Sequence, residues 1–183
     1  MAIMDYFKNL PVLETERLIL RKCGDNDLAE FFRLASNPNV TTWITWETHK
    51  FMEETAAFIK LLTDGYENGT CMTWAMCDKE TDKFMGLISF TNIKEKHFSG
   101  ELGYWIGEEY WNKGYTTEAM KRIIEYSFDT MGMHRITAAH CVENLSSARV
   151  MVKAGMSFEG VGKGEAYIHG RFCDIAHYAI VKD

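Results

Sequence analysis

The stretch from Glu101 to Ala119, ELGYWIGEEYWNKGYTTEA, constrains this chain more than any other. It opens with a period of two. Leu102, Tyr104 and Ile106 fall on one face, and Glu101, Gly103 and Trp105 on the other, as in a strand. From Thr116 the period becomes helical: Ala119, Ile123, Ser127 and Met131 share a face, flanked by Ile124 and Phe128. An aromatic and charged loop reaching Gly114 joins the two. The first backbone N–H groups of a helix have no partner inside it. The helix dipole adds partial positive charge at the same end. Such a start seats a phosphate, and a glycine lets the ligand approach the main chain. On spacing alone, an ordinary strand-to-helix turn is the commoner meaning of this pattern.

The rest of the chain supplies a sheet for this unit. Residues 1–11 read as a short arm ending at Pro11, and Leu18–Leu20 as a first strand. Asp25 can cap a following helix with Leu28, Phe31, Phe32 and Ala35 on its apolar side, ended at Asn37-Pro38. Trp43, Ile44 and Trp46 sit in the next loop, where they cover the core edge or wall a pocket. Thr48 or a neighbour starts a second helix, carrying Phe51, Thr55, Phe58, Ile59 and Leu62, which Glu67-Asn68-Gly69 breaks. Cys71–Asp78, Phe84–Ile93 and the strand from Glu101 follow with short polar turns, which implies an antiparallel meander. After the central helix come a strand at Arg135–Val142, a short helix from Asn144 to Gly155, and a glycine-punctuated hairpin to the C-terminus. The order is β-α-α-β-β-β-α-β-α-β-β. A helix between two strands makes them parallel neighbours, so one α/β (α+β) domain over residues 1–183 with a mixed sheet is expected.

Composition excludes several functions. In 183 residues the formal net charge is −6, with no basic stripe for a nucleic-acid backbone. No apolar run approaches the ~20 residues that span a membrane. The start, MAIMDYFKNLP, lacks the pattern of a signal peptide. Cys23, Cys71, Cys77, Cys141 and Cys173 are scattered, odd in number and free of C-x-x-C spacing, which reads as a reduced, cytoplasmic setting. His169, Cys173 and His177 are evenly spaced, but on a strand each step of four spans ~13 Å. A zinc ligand lies only ~2.0–2.3 Å from its ion, so no metal site is expected. Cys141 reads as a buried structural thiol, because His140 points to the other strand face.

The string WNKGYTTEA resembles the acetyl-CoA pyrophosphate loop of the GNAT N-acetyltransferases. The branch that acetylates the N-termini of ribosomal proteins (RimJ/RimL type) is the most similar. LETERLILR, GELGYWI and ENLSSARVMVKAGM resemble the same branch, so the likeness spans nearly the whole chain. Trp111 takes the first loop position and Gly114 matches, while Thr116 stands where Gly or Ala is usual. The resemblance implies a single GNAT fold, with a mostly antiparallel sheet splayed between its fourth and fifth strands. It implies direct acetyl transfer from acetyl-CoA to an amine, without a metal. The acceptor implied is a protein N-terminal amine. A small amine (polyamine, amino acid or antibiotic) is the alternative, as is a non-catalytic acyl-CoA-binding module. A homodimer would suit the branch.

Transfer to an amine requires loss of an ammonium proton, polarisation of the thioester carbonyl and protonation of the departing thiolate. By resemblance Glu101 is the base and Ser147 the acid, though a solvated strand glutamate and a capping serine are the plain alternatives. Ser146 could be the cap instead, leaving Ser147 free. Asn144 matches an asparagine that binds the pantetheine arm, or is a turn residue. Gly103 allows a bulge or close backbone approach. Exposed backbone groups of Trp105 and Ile106 would pair with pantetheine like an added strand. Trp111, Asn112, Lys113, Gly114, Tyr115 and Thr116 would hold the pyrophosphate, mainly by main chain. The acceptor pocket is expected near Trp43, Trp46 and Tyr167.

Overall fold

The computed structural model describes residue 3 and residues 5–182. Their strands are β1 (Leu13–Glu14), β2 (Leu18–Arg21), β3 (Thr73–Asp78), β4 (Phe84–Lys94), β5 (Ser99–Ile106), β6 (Arg135–Cys141), β7 (Ser157–Ile168) and β8 (Arg171–Val181). Among the described residues they form one sheet in the order β1-β2-β3-β4-β5-β6-β8-β7. All pairings are antiparallel except that of β5 with β6. The meander and the crossover are as the connections imply: short polar turns return the chain beside itself, and a helix carries it across in parallel. The short β1 is an addition at the sheet edge.

The parallel pair is the feature that makes a site. Its register runs only from Ser99 opposite Arg135 to Leu102 opposite Ala138. Beyond that the strands part, while β5 keeps its ladder to β4 as far as Gly86 opposite Ile106. The split therefore lies where the splay was expected. A register shift sits in β4 between Phe90 and Asn92, opposite Leu102 and Glu101. The irregularity is thus in the neighbouring strand and not at Gly103. Gly103 accommodates it instead, since a Cβ there would come within 3.0 Å of Thr91 Cγ2.

The longer helices are α2 (Leu28–Ala35), α4 (Met52–Asn68), α5 (Tyr115–Asp129) and α6 (Leu145–Lys153), with one-turn helices α1 (Asp5–Lys8) and α3 (Pro38–Thr41) between. Helix α5 buries Ala119, Ile123 and Ser127 completely and Met131 follows them into the core, as the 3.6-residue period requires. Ser127 remains satisfied because its hydroxyl donates to Ile123 O at 2.7 Å. The N-terminal segment is not a loose arm where it is described. Phe7 and Leu10 are buried, and Trp74 Nε1 donates to Pro11 O at 2.9 Å.

Two helix starts differ from expectation. Asp25 does not cap α2. Residues Asp25–Asp27 form a 3-10 turn, and Asp27 accepts from Gly24 N at 2.9 Å. Asp27 is buried, and Arg21 grips it from two nitrogens at 2.9 and 2.8 Å. Helix α4 starts later than Thr48, because Glu54 reaches back to accept from Lys50 N at 2.6 Å and Phe51 N at 3.0 Å. Phe51 is consequently an exposed cap residue. The helix ends at Gly69 in the left-handed region, as expected.

Candidate active site

The split between β5 and β6 opens into a cavity of about 260 Å³. One wall is the start of α5, another the start of α6, and a third the loop carrying Trp43 and Ile44. At α5, Gly114 adopts φ +83° and ψ −1° as the residue before the helix, with no side chain capping it. The first internal bond is Glu118 N to Gly114 O at 3.0 Å. The N–H groups of Tyr115, Thr116 and Thr117 are therefore unspent at the cavity wall. Thr116, the departure from the family pattern, is buried as the second residue of the helix and lines the cavity. The loop is braced from outside. Arg17 donates to Lys113 O at 3.0 Å, pairs with Glu118 at 2.6 Å and lies 4.3 Å over the Tyr115 ring.

At α6 the question of the cap is resolved. Asn144 Oδ1 accepts from Ser147 N at 3.2 Å, so Asn144 is the cap. Ser146 accepts from Arg149 at 3.0 Å instead. The Ser147 hydroxyl is thus free of capping, and it lies 2.7 Å from Tyr104 OH. Tyr104 comes from β5, so this bond spans the split. Burial pushes the Tyr104 phenol well above its ordinary value, which keeps it protonated. The two-residue alternation alone placed Tyr104 among core residues. Only the splay shows that its hydroxyl meets Ser147.

The open edge of β5 is also redefined. Gly107 N donates to Met85 O on β4 at 2.9 Å, and by alternation the backbone of Trp105 also faces β4. The groups facing the split belong to Tyr104 and Ile106, so the backbone pair expected at Trp105 and Ile106 shifts by one residue. Ile106 O already accepts from Trp111 Nε1 at 2.9 Å. Trp111 therefore ties the loop to the strand. Trp105 contributes its side chain, packed 5.5 Å from Trp46 and 5.1 Å from Phe31.

The two expected catalytic residues are placed differently. Ser147 lines the cavity, with Asn144, Trp105, Ile106, Trp111, Asn112, Gly114, Tyr115 and Thr116. Glu101 and Lys113 are not wall residues. Glu101 stands opposite Thr137, in the last paired stretch before the strands part. Trp43 and Ile44 are wall residues, Trp46 packs at the core edge, and Tyr167 is exposed against Phe172 and is not a wall residue. Arg149 and Lys153 also line the cavity, and nothing in the spacing alone marked them. Among the described residues no metal-holding group occurs. His169 and His177 turn to different partners, Glu47 at 3.2 Å and Glu165 at 2.7 Å. Cys141 is buried, and burial with Cys173 beside it pushes the thiol up to about 11, unsuited to a nucleophile.

Residues 17–157 match the acetyltransferase (GNAT) domain family. The chain belongs to the GNAT acetyltransferases. It is 33% identical to YoaA, an uncharacterized N-acetyltransferase of Bacillus subtilis (strain 168), over 94% of this chain and 97% of that one. It is 28% identical to the [ribosomal protein uS5]-alanine N-acetyltransferase of Escherichia coli (strain K12), over 92% and 91%. A crystal structure of a GNAT acetyltransferase from Bacillus anthracis superposes with a TM-score of 0.82 at 29% identity, covering 93% of this chain and 98% of that one. RimL, a ribosomal L7/L12 α-N-protein acetyltransferase solved with coenzyme A, has a TM-score of 0.85 at 18% identity, covering 94% and 99%, and so shares the fold. This GNAT protein is an acetyl-CoA-dependent N-acetyltransferase. The unspent N–H groups beside Gly114, and the open edge of Tyr104 with the N–H of Ile106, suit the donor's pyrophosphate and pantetheine arm.

Proposed function

We propose that this protein acetylates an N-terminal α-amine of a protein, such as a ribosomal protein, by direct transfer in a ternary complex. The observation that carries the direct-transfer chemistry is the Ser147–Tyr104 hydroxyl pair, 2.7 Å apart across the split. Glu101, acting through water from beyond the cavity wall, takes a proton from the acceptor ammonium. The freed amine attacks the thioester carbon. Ser147 gives its proton to the sulfur as the C–S bond breaks, and Tyr104 restores the proton to Ser147. The second proton of the ammonium leaves to solvent as the amide forms, and the proton count balances once Glu101 releases the first to water and Tyr104 regains its own from water. Asn144, already committed to the helix through Oδ1, offers Nδ2 to the pantetheine arm.

The acceptor class rests on the wall at Trp43 and Ile44 and on similarity. A peptide N-terminus brings one ammonium on an extended chain, which suits the apolar wall at Trp43 and Ile44. The resemblance to an N-terminal alanine acetyltransferase supports the same reading. The test is thiol release from acetyl-CoA with ribosomal N-terminal peptides, polyamines and amino acids side by side. Peptides should be turned over fastest. Preference for spermidine would overturn the acceptor reading, and unchanged turnover in Glu101→Gln would remove Glu101 as base.

A further inference from the structure

Four residues of α6 form a stripe along the cavity: Ser146, Arg149, Val150 and Lys153. Their spacing of i, i+3, i+4 and i+7 is one face of a helix. The stripe faces the start of α5, where Thr116 and Thr117 line the same cavity. Arg149 and Lys153 have no carboxylate partner among the described residues, and Arg149 is held only by Ser146 Oγ at 3.0 Å. In a protein of net charge −6, the charged residues lining this cavity are these two cations. Lys153, in the last turn, also suits the helix dipole. Arg149 has no such alternative reason to be there.

We infer that Arg149 and Lys153 bind the 3′-phosphate of coenzyme A and so select it over donors that lack this group. The inference rests on the acetyl-CoA reading of the cavity and adds a specificity site to it. Coenzyme A carries two kinds of phosphate. Each pyrophosphate phosphorus is a diester with one charge, and the unspent N–H groups at α5 can seat it. The 3′-phosphate is a monoester with about −1.5 to −2 charges at neutral pH. Two unpaired cations match that charge. Lys153 also lies away from the reacting end, about 9 Å along α6 from Ser147 at about 1.5 Å per residue. The arginine can fork two oxygens while the lysine acts as a point charge.

The experiment measures binding of coenzyme A and 3′-dephospho-coenzyme A by titration calorimetry, for the intact protein and for the double variant Arg149→Gln/Lys153→Gln. Both side chains are exposed, so the fold should survive, and circular dichroism checks this. The intact protein should bind coenzyme A about tenfold more tightly than the dephospho form, with the ratio shrinking as salt screens the pair. In the double variant the ratio should fall to about two or less, with dephospho binding unchanged. Equal binding of both ligands by the intact protein would overturn the inference. A variant that weakens both ligands equally would also overturn it, since the cations would then serve the pyrophosphate. Binding of neither ligand by the intact protein would instead sink the acetyl-CoA reading itself.

Discussion

Tyr104 and Ser147 show how the smallest unit of this site works. Each hydroxyl has a plain reason to exist alone, as a half-buried strand tyrosine or a helix-start serine. Their 2.7 Å contact gives them a joint role. Removing the acid should matter more than removing its support. Ser147→Ala should lower kcat about 100-fold, within the usual range for a lost proton donor, and leave coenzyme A affinity within twofold by calorimetry. Tyr104→Phe keeps the ring and loses the relay, so a drop of about tenfold in kcat is expected in the same assay. Gly114 answers to backbone geometry instead. At φ +83° a side chain is strained whatever space it has, and a Cβ would also meet Arg17 Nη2 at 3.5 Å. Gly114→Ala should cost about 1 kcal/mol of stability in urea unfolding and weaken coenzyme A binding, because the α5 start would shift.

Among the elements, the connection from β2 to α2 depends on one buried ion pair. Asp27 is 4% exposed and Arg21 holds it by two hydrogen bonds while also reaching Asp82 at 2.7 Å. The Asp27 hydrogen bonds, with Asp82 adding to them, hold Arg21 far above its ordinary value. Asp27→Ala strands a half-buried guanidinium and frees the N–H of Gly24, so a loss of about 2–3 kcal/mol is expected in denaturant unfolding. Asp25→Ala, by contrast, should stay within about 0.5 kcal/mol. The cap rule pointed to the wrong aspartate because it weighs local spacing, whereas the pairing with Arg21 comes from the strand before. The start of α4 was misplaced for a similar reason. Glu54 supplies the cap from inside the helix, so no Ser, Thr or Asp need stand at its beginning.

Across the whole molecule, the hairpin of β7 and β8 is tied to the loop that walls the cavity. His169 lies 3.0 Å from Thr41 O and 3.2 Å from Glu47. The Thr41 carbonyl and the Glu47 carboxylate raise its pKa from the ordinary value of about 6.5. A group that holds its proton more tightly when folded stabilises the fold fully below the unfolded pKa. That contribution fades as pH rises through the folded value. Amides of Thr41–Glu47 should therefore exchange faster at pH 8 than at pH 6 after correction for intrinsic rates, and His169→Ala should remove the difference. The strand–loop–helix unit, the meander, the crossover and the uncapped start of α5 were all legible in the sequence, because periodicity and a helix start are properties of contiguous residues. The succession of strands along the chain followed from the same local rules, apart from the two-residue β1, whereas the insertion of β8 between β6 and β7 did not. Tertiary structure alone decided that Asn144 is the cap, that Tyr104 reaches Ser147, that Tyr104 rather than Trp105 shares the open edge with Ile106, and that Glu101 is not among the residues lining the cavity. Each of these depends on where β5 and β6 cease to pair, after Leu102 and Ala138. That point is set by packing between segments distant in the chain, which no local pattern records.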